Sequence, residues 1–352
     1  MSIFSARPAT LAGLAAAAAT LTLVPPGAQA AAPSYVALGD SYASGTGTRS
    51  YIDDGTDCLR SVYAYPALIS SARGYELNFR ACSGATIPDV ANNQVGALTS
   101  STSYVTVSVG GNDAGFASVL TTCALPAWMS NCNGAINKAQ SYITNTLPGA
   151  LSTLYADIRA RAPRAKVVVV GYPRIFNGTD CNALTWFSGT EMSRLNYTAD
   201  LLNSRLASAA SAKGFTFANP TSRFLGRAVC DSPEWINGLS NPIVESYHPK
   251  TTGHAYGYTP TVSPVLTGAT VTVGRALMRE SAASADELAA TQEQYAAADA
   301  AIEPAEFRAP DLDSRKARRA ARRAGVDLSD PASIDRVDRR YARKQARAFA
   351  AG

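Results

Sequence analysis

Histidine is nearly absent from this chain of 352 residues. The two that occur, His248 and His254, both lie in the stretch ESYHPKTTGH at 245–254. Two histidines do not supply a multi-histidine metal site, and neither an HExxH nor a CxxC pattern occurs, so a metal centre is not expected. If a histidine acts as a base at neutral pH, it must be one of these two.

Charge is also scarce, since charged residues make up 17% of the chain and 32 basic residues face 27 acidic ones. A net charge of +5 is modest for this length, so nucleic acid is not expected as a partner. The G-x-S-x-G pattern of ordinary α/β-hydrolases is missing as well.

Long apolar runs are missing, and the most apolar segment, LAGLAAAAATLTLV at 11–24, is shorter than the roughly 20 residues that a membrane-spanning helix needs. Arg7 precedes it, and the small-residue pattern Ala28-Gln29-Ala30 follows. This layout is typical of a secretory signal peptide over 1–30, cleaved after Ala30, rather than of a membrane anchor. The sequence therefore predicts a secreted, extracellular protein.

Cysteine usage fits export, because an even number of cysteines in an exported chain indicates disulfides. Six cysteines allow fifteen connectivities, of which pairing between sequence neighbours is the simplest. That pairing joins Cys58 to Cys82, Cys123 to Cys132 and Cys181 to Cys230.

The middle of the chain alternates apolar β-like runs with longer helical stretches, which favours an α/β fold with its ligand site at the carboxyl ends of the strands. The continuous branched run Val167–Val170 is typical of a parallel strand buried on both faces. Strands are predicted at 34–38, 104–110, 166–173 and 215–219, and helical stretches at 135–161 and 191–213.

The composition changes after about residue 280. Residues 286–313 hold eight acidic residues and one basic one, whereas 315–347 hold twelve basic and four acidic ones. We expect 281–352 to be a solvated helical or partly disordered extension. It either contacts an anionic cell-wall polymer or membrane surface or forms a charge-balanced appendage.

A nucleophile candidate lies in YVALGDSYASGTGT at 35–48, where an apolar run ends in Gly39 and presents Ser41. Taken alone, Ser41 is equally a helix cap or a nucleophile, and as a nucleophile it needs an adjacent base. Two other loops offer donors for an oxyanion, namely ACSGAT with Gly84 and VSVGGND with Asn112. In a parallel sheet, 35–41 and 104–113 end on the same side.

These segments, in this order, resemble the blocks of the SGNH hydrolases, also called the GDSL lipase/esterase family. Gly39-Asp40-Ser41 is similar to the first block, Gly84 to the second, Gly110-Gly111-Asn112-Asp113 to the third and His248-Pro249 to the last. The similarity extends over about 34–279, within a hydrolase domain at 31–280, and the cysteine layout resembles secreted actinobacterial lipases and esterases.

The resemblance implies a three-layer α/β/α sandwich on a five-stranded parallel sheet and a reaction without a cofactor. It implies that Ser41 is the nucleophile and that His248 is the general base. The oxyanion hole would consist of the Ser41 and Gly84 amides and the Asn112 side chain.

One position departs from the family pattern, which has aspartate three residues before the histidine where this chain has Glu245. Three alternatives follow. Glu245 completes a triad, the backbone carbonyl of Ser246 or Glu245 holds the imidazole in a dyad, or another acid reaches it. His254 fits a structural role.

The expected activity is hydrolysis of lipid or fatty-acyl esters, including those of phospholipids, by a monomer. A carbohydrate O-acetyl esterase is an alternative within enzymes, and a non-catalytic surface-binding protein is one outside them. The apolar residues Leu125, Pro126, Trp128 and Met129 between Cys123 and Cys132 either line the acyl site or pack on the core, and packing is favoured.

Overall fold

A sheet of five parallel strands forms the centre of the computed structural model, which describes residues 1–6, 9, 31–304 and 306–350. The predicted cleavage site and most of the predicted signal peptide lie outside these residues. The strand order is β2-β1-β3-β4-β5. The strands are β1 Ser34–Gly39, β2 Glu76–Phe79, β3 Tyr104–Ser108, β4 Lys166–Val170 and β5 Thr216–Ala218.

The strands confirm the predicted parallel sheet. Val168, Val169 and Val170 in β4 are fully buried, as a strand covered on both faces requires. Edge strand β2 was not among the strands predicted from the pattern, because its four residues carry too short an apolar signal.

Helices cover both faces of the sheet and complete the three-layer α/β/α sandwich. No helix within the described part of the chain is both long and apolar enough to cross a membrane. The helices of the described residues are α1 Ser41–Ser44, α2 Tyr65–Arg73, α3 Ile87–Asp89, α4 Phe116–Cys123, α5 Cys132–Asn145, α6 Leu147–Arg161, α7 Gly189–Ala212, α8 Thr259–Thr267, α9 Arg275–Ala283, α10 Ala285–Glu293, α11 Ala296–Asp299, α12 Arg315–Ala324 and α13 Pro331–Ala350, with single irregular turns at Val90–Gln94, Val95–Ala97, Ile243–Glu245 and Gly253–Tyr258.

The predicted helical stretch at 135–161 is two helices, α5 and α6, which meet at Thr146. Pro148 lies in the first turn of α6, where its missing N–H is not needed; inside one continuous helix it would break a hydrogen bond. The stretch at 191–213 is α7, which starts earlier because Ser188 and Glu191 form a capping box.

The C-terminal extension is helical and packs on the hydrolase region, so it differs from the solvated segment that its composition suggested. From Ala32 onward the chain forms one compact unit. Although apolar residues are few after 281, Leu288, Ile302 and Phe307 are buried against the main core. In α12, alanines form the buried face, which lets a strongly basic helix lie close to its neighbours.

The three disulfides join sequence neighbours, which confirms the simplest pairing: Cys58–Cys82, Cys123–Cys132 and Cys181–Cys230. Cys58–Cys82 fixes the start of the loop that carries Gly84.

Candidate active site

Ser41 lies just beyond the tip of β1, two residues after Gly39, a glycine that no other residue can replace without strain. Gly39 has φ +131°, and a Cβ atom there would lie 2.2 Å from the carbonyl oxygen of Ser108 on β3. The Asp40 carboxylate then accepts a hydrogen bond from the Tyr42 N–H at 3.0 Å and caps α1. Asp40 is therefore the helix cap, and Ser41 is the first helical residue.

The imidazole of His248 lies directly beside this serine, with its Nε2 atom 2.8 Å from Ser41 Oγ. The loop that carries it is fixed by Asn237, whose N–H donates to the His248 carbonyl and whose carbonyl accepts from the Tyr247 N–H. The Tyr42 hydroxyl donates to the Tyr247 carbonyl at 2.7 Å, so α1 and the histidine loop are tied together.

The structure brings a backbone carbonyl, rather than a carboxylate, to the other side of the imidazole. His248 Nδ1 lies 3.0 Å from the carbonyl oxygen of Ser246. Glu245 points elsewhere: its carboxylate accepts hydrogen bonds from the Tyr51 hydroxyl at 2.6 Å and from Arg49 Nε at 3.0 Å. The geometry therefore corresponds to the dyad with the Ser246 carbonyl.

The two candidate oxyanion loops converge on Ser41. Gly84, at φ +84°, and Asn112 line the same cavity as Ser41 and His248. Asn112 Nδ2 donates to the carbonyl of Ala85 at 3.0 Å, which ties the two loops to each other. An amide side chain has two donor hydrogens, so one of them is still free to bind an anionic oxygen.

Burial shifts the protonation of two groups in the cavity. It lowers the pKa of His248 to about 4, against the opposing effect of the hydrogen bond to the Ser246 carbonyl. It raises the pKa of Asp40 to about 7, although the Tyr172 hydroxyl, which donates to Asp40 at 2.5 Å, opposes this shift. At neutral pH the imidazole is therefore uncharged and able to accept a proton.

One branch of the cavity is lined by apolar side chains of α4, α5 and α7. An apolar lining of this kind is suited to a hydrocarbon chain. The walls of the branch include Phe116, Leu120, Ala139, Ile143, Leu195 and Leu202. The apolar loop between Cys123 and Cys132 does not contribute: Trp128 packs on Ile334 and Val337 of α13 instead.

Sequence reasoning did not anticipate a contribution of the extension to the cavity. Pro304, Glu306 and Phe307 line it together with Ser41 and His248. The sequence does contain a hint of this packing. An aromatic residue, Phe307, lies between Pro304 and Pro310 inside a charged stretch, and an apolar side chain in such a position could have indicated a packed segment.

His254 is fully buried and lies away from Ser41, as a structural residue. Its ring packs beside those of Tyr65 and Tyr258, with centroid distances of 6.3 Å and 5.6 Å, and its Nδ1 atom accepts the Tyr65 N–H.

A serine beside a histidine at the carboxyl edge of a parallel sheet, with glycine and asparagine loops facing it, is the arrangement of a family of acyl hydrolases. Residues 37–256 match the family model described as GDSL-like Lipase/Acylhydrolase family. The chain belongs to this family and is a carboxylic ester hydrolase.

Three similar proteins come from Streptomyces. The chain is 45% identical to Lipase 1 of Streptomyces coelicolor over 243 residues, which cover 68% of this chain and 88% of the relative. It is similar to the crystal structure of phospholipase A1 from Streptomyces albidoflavus NA297, with 42% identity and a TM-score of 0.63 over 66% of this chain and 99% of that one. The crystal structure of an extracellular lipase from Streptomyces rimosus has 39% identity and a TM-score of 0.63, over 66% of this chain and 100% of that one.

Proposed function

We propose that the protein is a secreted serine hydrolase that cleaves fatty-acyl esters through an acyl-enzyme on Ser41. The observation that carries the proposal is the 2.8 Å contact between Ser41 Oγ and His248 Nε2 in a cavity that also has an apolar lining. A serine hydroxyl is a weak nucleophile at neutral pH and becomes effective when an adjacent base accepts its proton.

In the first half-reaction, Ser41 Oγ attacks the ester carbonyl while His248 Nε2 accepts the hydroxyl proton. The tetrahedral intermediate collapses, the bond to the alcohol oxygen breaks, and His248 returns the proton to the leaving alcohol. In the second half-reaction, water attacks the acyl-enzyme, His248 accepts its proton, and the carboxylic acid leaves as Ser41 regains a hydrogen.

The negative oxygen of both intermediates needs preorganised donors. The Ser41 N–H belongs to the first turn of α1, where backbone donors have no partner within the helix. The Gly84 N–H and the second hydrogen of Asn112 Nδ2 would complete the oxyanion hole. The Ser246 carbonyl keeps the imidazole in the tautomer that presents an unprotonated Nε2 to Ser41.

The apolar branch favours a fatty-acyl substrate over an acetylated sugar, because an acetyl group would leave most of this apolar lining without a partner. The names of the relatives support the same class, since they are lipases and a phospholipase A1. Three disulfides and the resemblance to an extracellular lipase support secretion.

The test compares the wild-type protein with Ser41→Ala on p-nitrophenyl esters from butyrate to palmitate and on a phosphatidylcholine. We expect Ser41→Ala to lower kcat by at least about 10³-fold on every substrate, because no other group replaces the nucleophile. Ser193→Ala, an exposed serine of α7, is the matched control and should keep wild-type activity. Equal activity of Ser41→Ala and the wild type would contradict the proposal.

A further inference from the structure

A short segment of the C-terminal extension crosses the active-site cavity. We refer to Pro304, Glu306, Phe307 and Arg308 as the strap. It lies outside the residues that match the family model, which end at 256. About a third of this chain also lies outside its match to the phospholipase A1 structure, although nearly all of that chain is matched. The strap is therefore an addition to the common hydrolase fold.

The strap starts on the loop that carries a candidate oxyanion donor. A Cβ atom on Gly84 would lie 2.3 Å from the Cα atom of Pro304, so the two backbones are in direct contact. Any side chain at position 84 would push the strap away. The absence of one lets the strap lie flat against this loop.

The strap then passes the histidine loop. The Phe307 ring packs edge-to-face on the Tyr247 ring with a centroid distance of 5.0 Å, and Phe307 is only 5% exposed. Tyr247 immediately precedes His248 and lines the same cavity. Phe307 is thus buried, and it lines the same cavity as Ser41 and His248.

The strap ends on the helix that forms the apolar branch. The Arg308 N–H donates to Thr121 Oγ1 of α4 at 2.9 Å. Phe116 and Leu120 of the same helix line the apolar branch. The strap therefore runs from the oxyanion loop, past the histidine loop, to the wall of the branch, and it encloses the cavity on that side.

Both ends of the strap are anchored. Upstream, the Asp299 carboxylate forms buried ion pairs with Arg60 at 2.7 Å and with Arg80 at 2.6 Å. Downstream, Leu312 packs in the cluster that contains Trp128 and α13. A segment fixed on both sides acts as a rigid wall, and the cavity beside Ser41 stays open to a substrate because the strap lines it without filling it.

We propose that Phe307 is a specificity-determining residue that narrows the cavity around Ser41 and limits the length of the acyl chain that can bind. This inference rests on the proposed acyl-enzyme at Ser41. A phenyl ring in the wall of an apolar pocket excludes every chain that would occupy its place, and pockets of this kind discriminate by size.

The test measures kcat/KM for p-nitrophenyl esters from butyrate to palmitate with the full-length protein. Phe307→Ala should raise the ratio of palmitate to butyrate kcat/KM at least about 10-fold, and Phe307→Trp should lower it. Phe349→Ala, which removes an exposed ring elsewhere in the extension, is the matched control and should leave the ratio at the wild-type value. Circular dichroism and Tm confirm that each variant is folded.

The outcomes separate the two proposals. An equal loss of activity at all chain lengths in Phe307→Ala and Phe307→Trp would show that Phe307 only supports the histidine loop, and this would overturn the inference. A second series of substrates, butyrate esters of different alcohols, tests the other side of the ester bond. If Phe307→Ala changes kcat/KM only within this series and not with acyl length, Phe307 contacts the alcohol part of the substrate, and the inference is overturned. If Ser41→Ala keeps wild-type activity, the proposed function itself fails. An inactive Ser41→Ala together with an unchanged Phe307→Ala profile would refute only the role of Phe307.

Discussion

At the scale of single residues, the proposed base His248 is held by a neutral partner. A carbonyl oxygen fixes the tautomer of His248 as well as a carboxylate does, but it contributes no negative charge to stabilise the imidazolium. The Glu245 carboxylate, one methylene longer than the aspartate of the family pattern, is instead bound by Tyr51 and Arg49.

Glu245→Gln tests this arrangement. We expect kcat to fall by less than about 10-fold, because glutamine still accepts the Tyr51 hydrogen bond and the Ser246 carbonyl still orients His248. A catalytic triad would instead lose about 10⁴-fold when its acid becomes an amide. Steady-state kinetics on one p-nitrophenyl ester suffice, with His248→Asn as the inactive reference.

The pH dependence of kcat/KM reports on the same imidazole. Protonated His248 does not accept the Ser41 proton, so activity falls as pH drops through its folded-state pKa. Since burial lowers that pKa to about 4, we expect the acid limb well below pH 6, whereas an unperturbed histidine would place it near about 6.5.

Asp40 also titrates in this cavity, so an experiment has to show which of the two groups, His248 or Asp40, produces the acid limb of the kcat/KM profile. Asp40→Asn removes that titration, keeps one oxygen to accept from the Tyr42 N–H, and places an amide donor beside the Tyr172 hydroxyl, whose oxygen can accept from it. An acid limb that stays in place in this variant belongs to His248. A limb near pH 6.5 in both proteins, with circular dichroism showing the fold intact, would contradict the prediction.

At the scale of elements, the sequence predicted the strands that carry a clear local pattern of apolar residues and glycines. The branched run of β4 and the glycines after β1 and β3 identified the strands and the edge where the site lies. The β2 strand has four residues, and its position is set by pairing with β1 rather than by its own pattern. The packing of the extension depends on contacts between residues more than 200 positions apart in the sequence. A local hydrophobic pattern contains no information about such contacts.

Helix α13 offers an element-scale prediction. Asp338, buried beside the Cys123–Cys132 loop, accepts the Ala127 N–H at 2.7 Å, and burial raises the pKa of this carboxyl to about 6. Asp338→Ala leaves that donor unsatisfied, which typically costs about 1–3 kcal/mol. We expect faster hydrogen exchange in α13 and at residues 124–131, measured by mass spectrometry, and no such change in the exposed-residue control Arg343→Ala. Equal exchange in both variants would show that Asp338 does not hold the helix.

At the scale of the whole molecule, Asp299 joins the extension to the hydrolase. Its carboxylate is fully buried with the side chains of Arg60 and Arg80, and Asp54 pairs with Arg60 from the other side. Asp299→Asn leaves two buried guanidinium groups short of negative charge. We expect the free energy of unfolding to fall by about 3–5 kcal/mol in urea denaturation, because breaking a buried ion pair is costly.

An exposed pair provides the matched control for this variant. Asp200 pairs with Arg174 at 2.6 Å on the surface, and Asp200→Asn should cost less than about 1 kcal/mol. Similar losses in the two variants would show that the buried cluster contributes no more than a surface pair.

The buried cluster around Asp299 also bears on the order in which the chain folds during synthesis. Arg60 and Arg80 belong to the earliest part of the fold, whereas their shared counter-ion lies more than 200 residues later. Until Asp299 has been synthesised, Arg80 has no carboxylate partner and Arg60 has only Asp54. We therefore expect this cluster to be completed only after residue 299 has emerged, well after the residues 37–256 that match the family model.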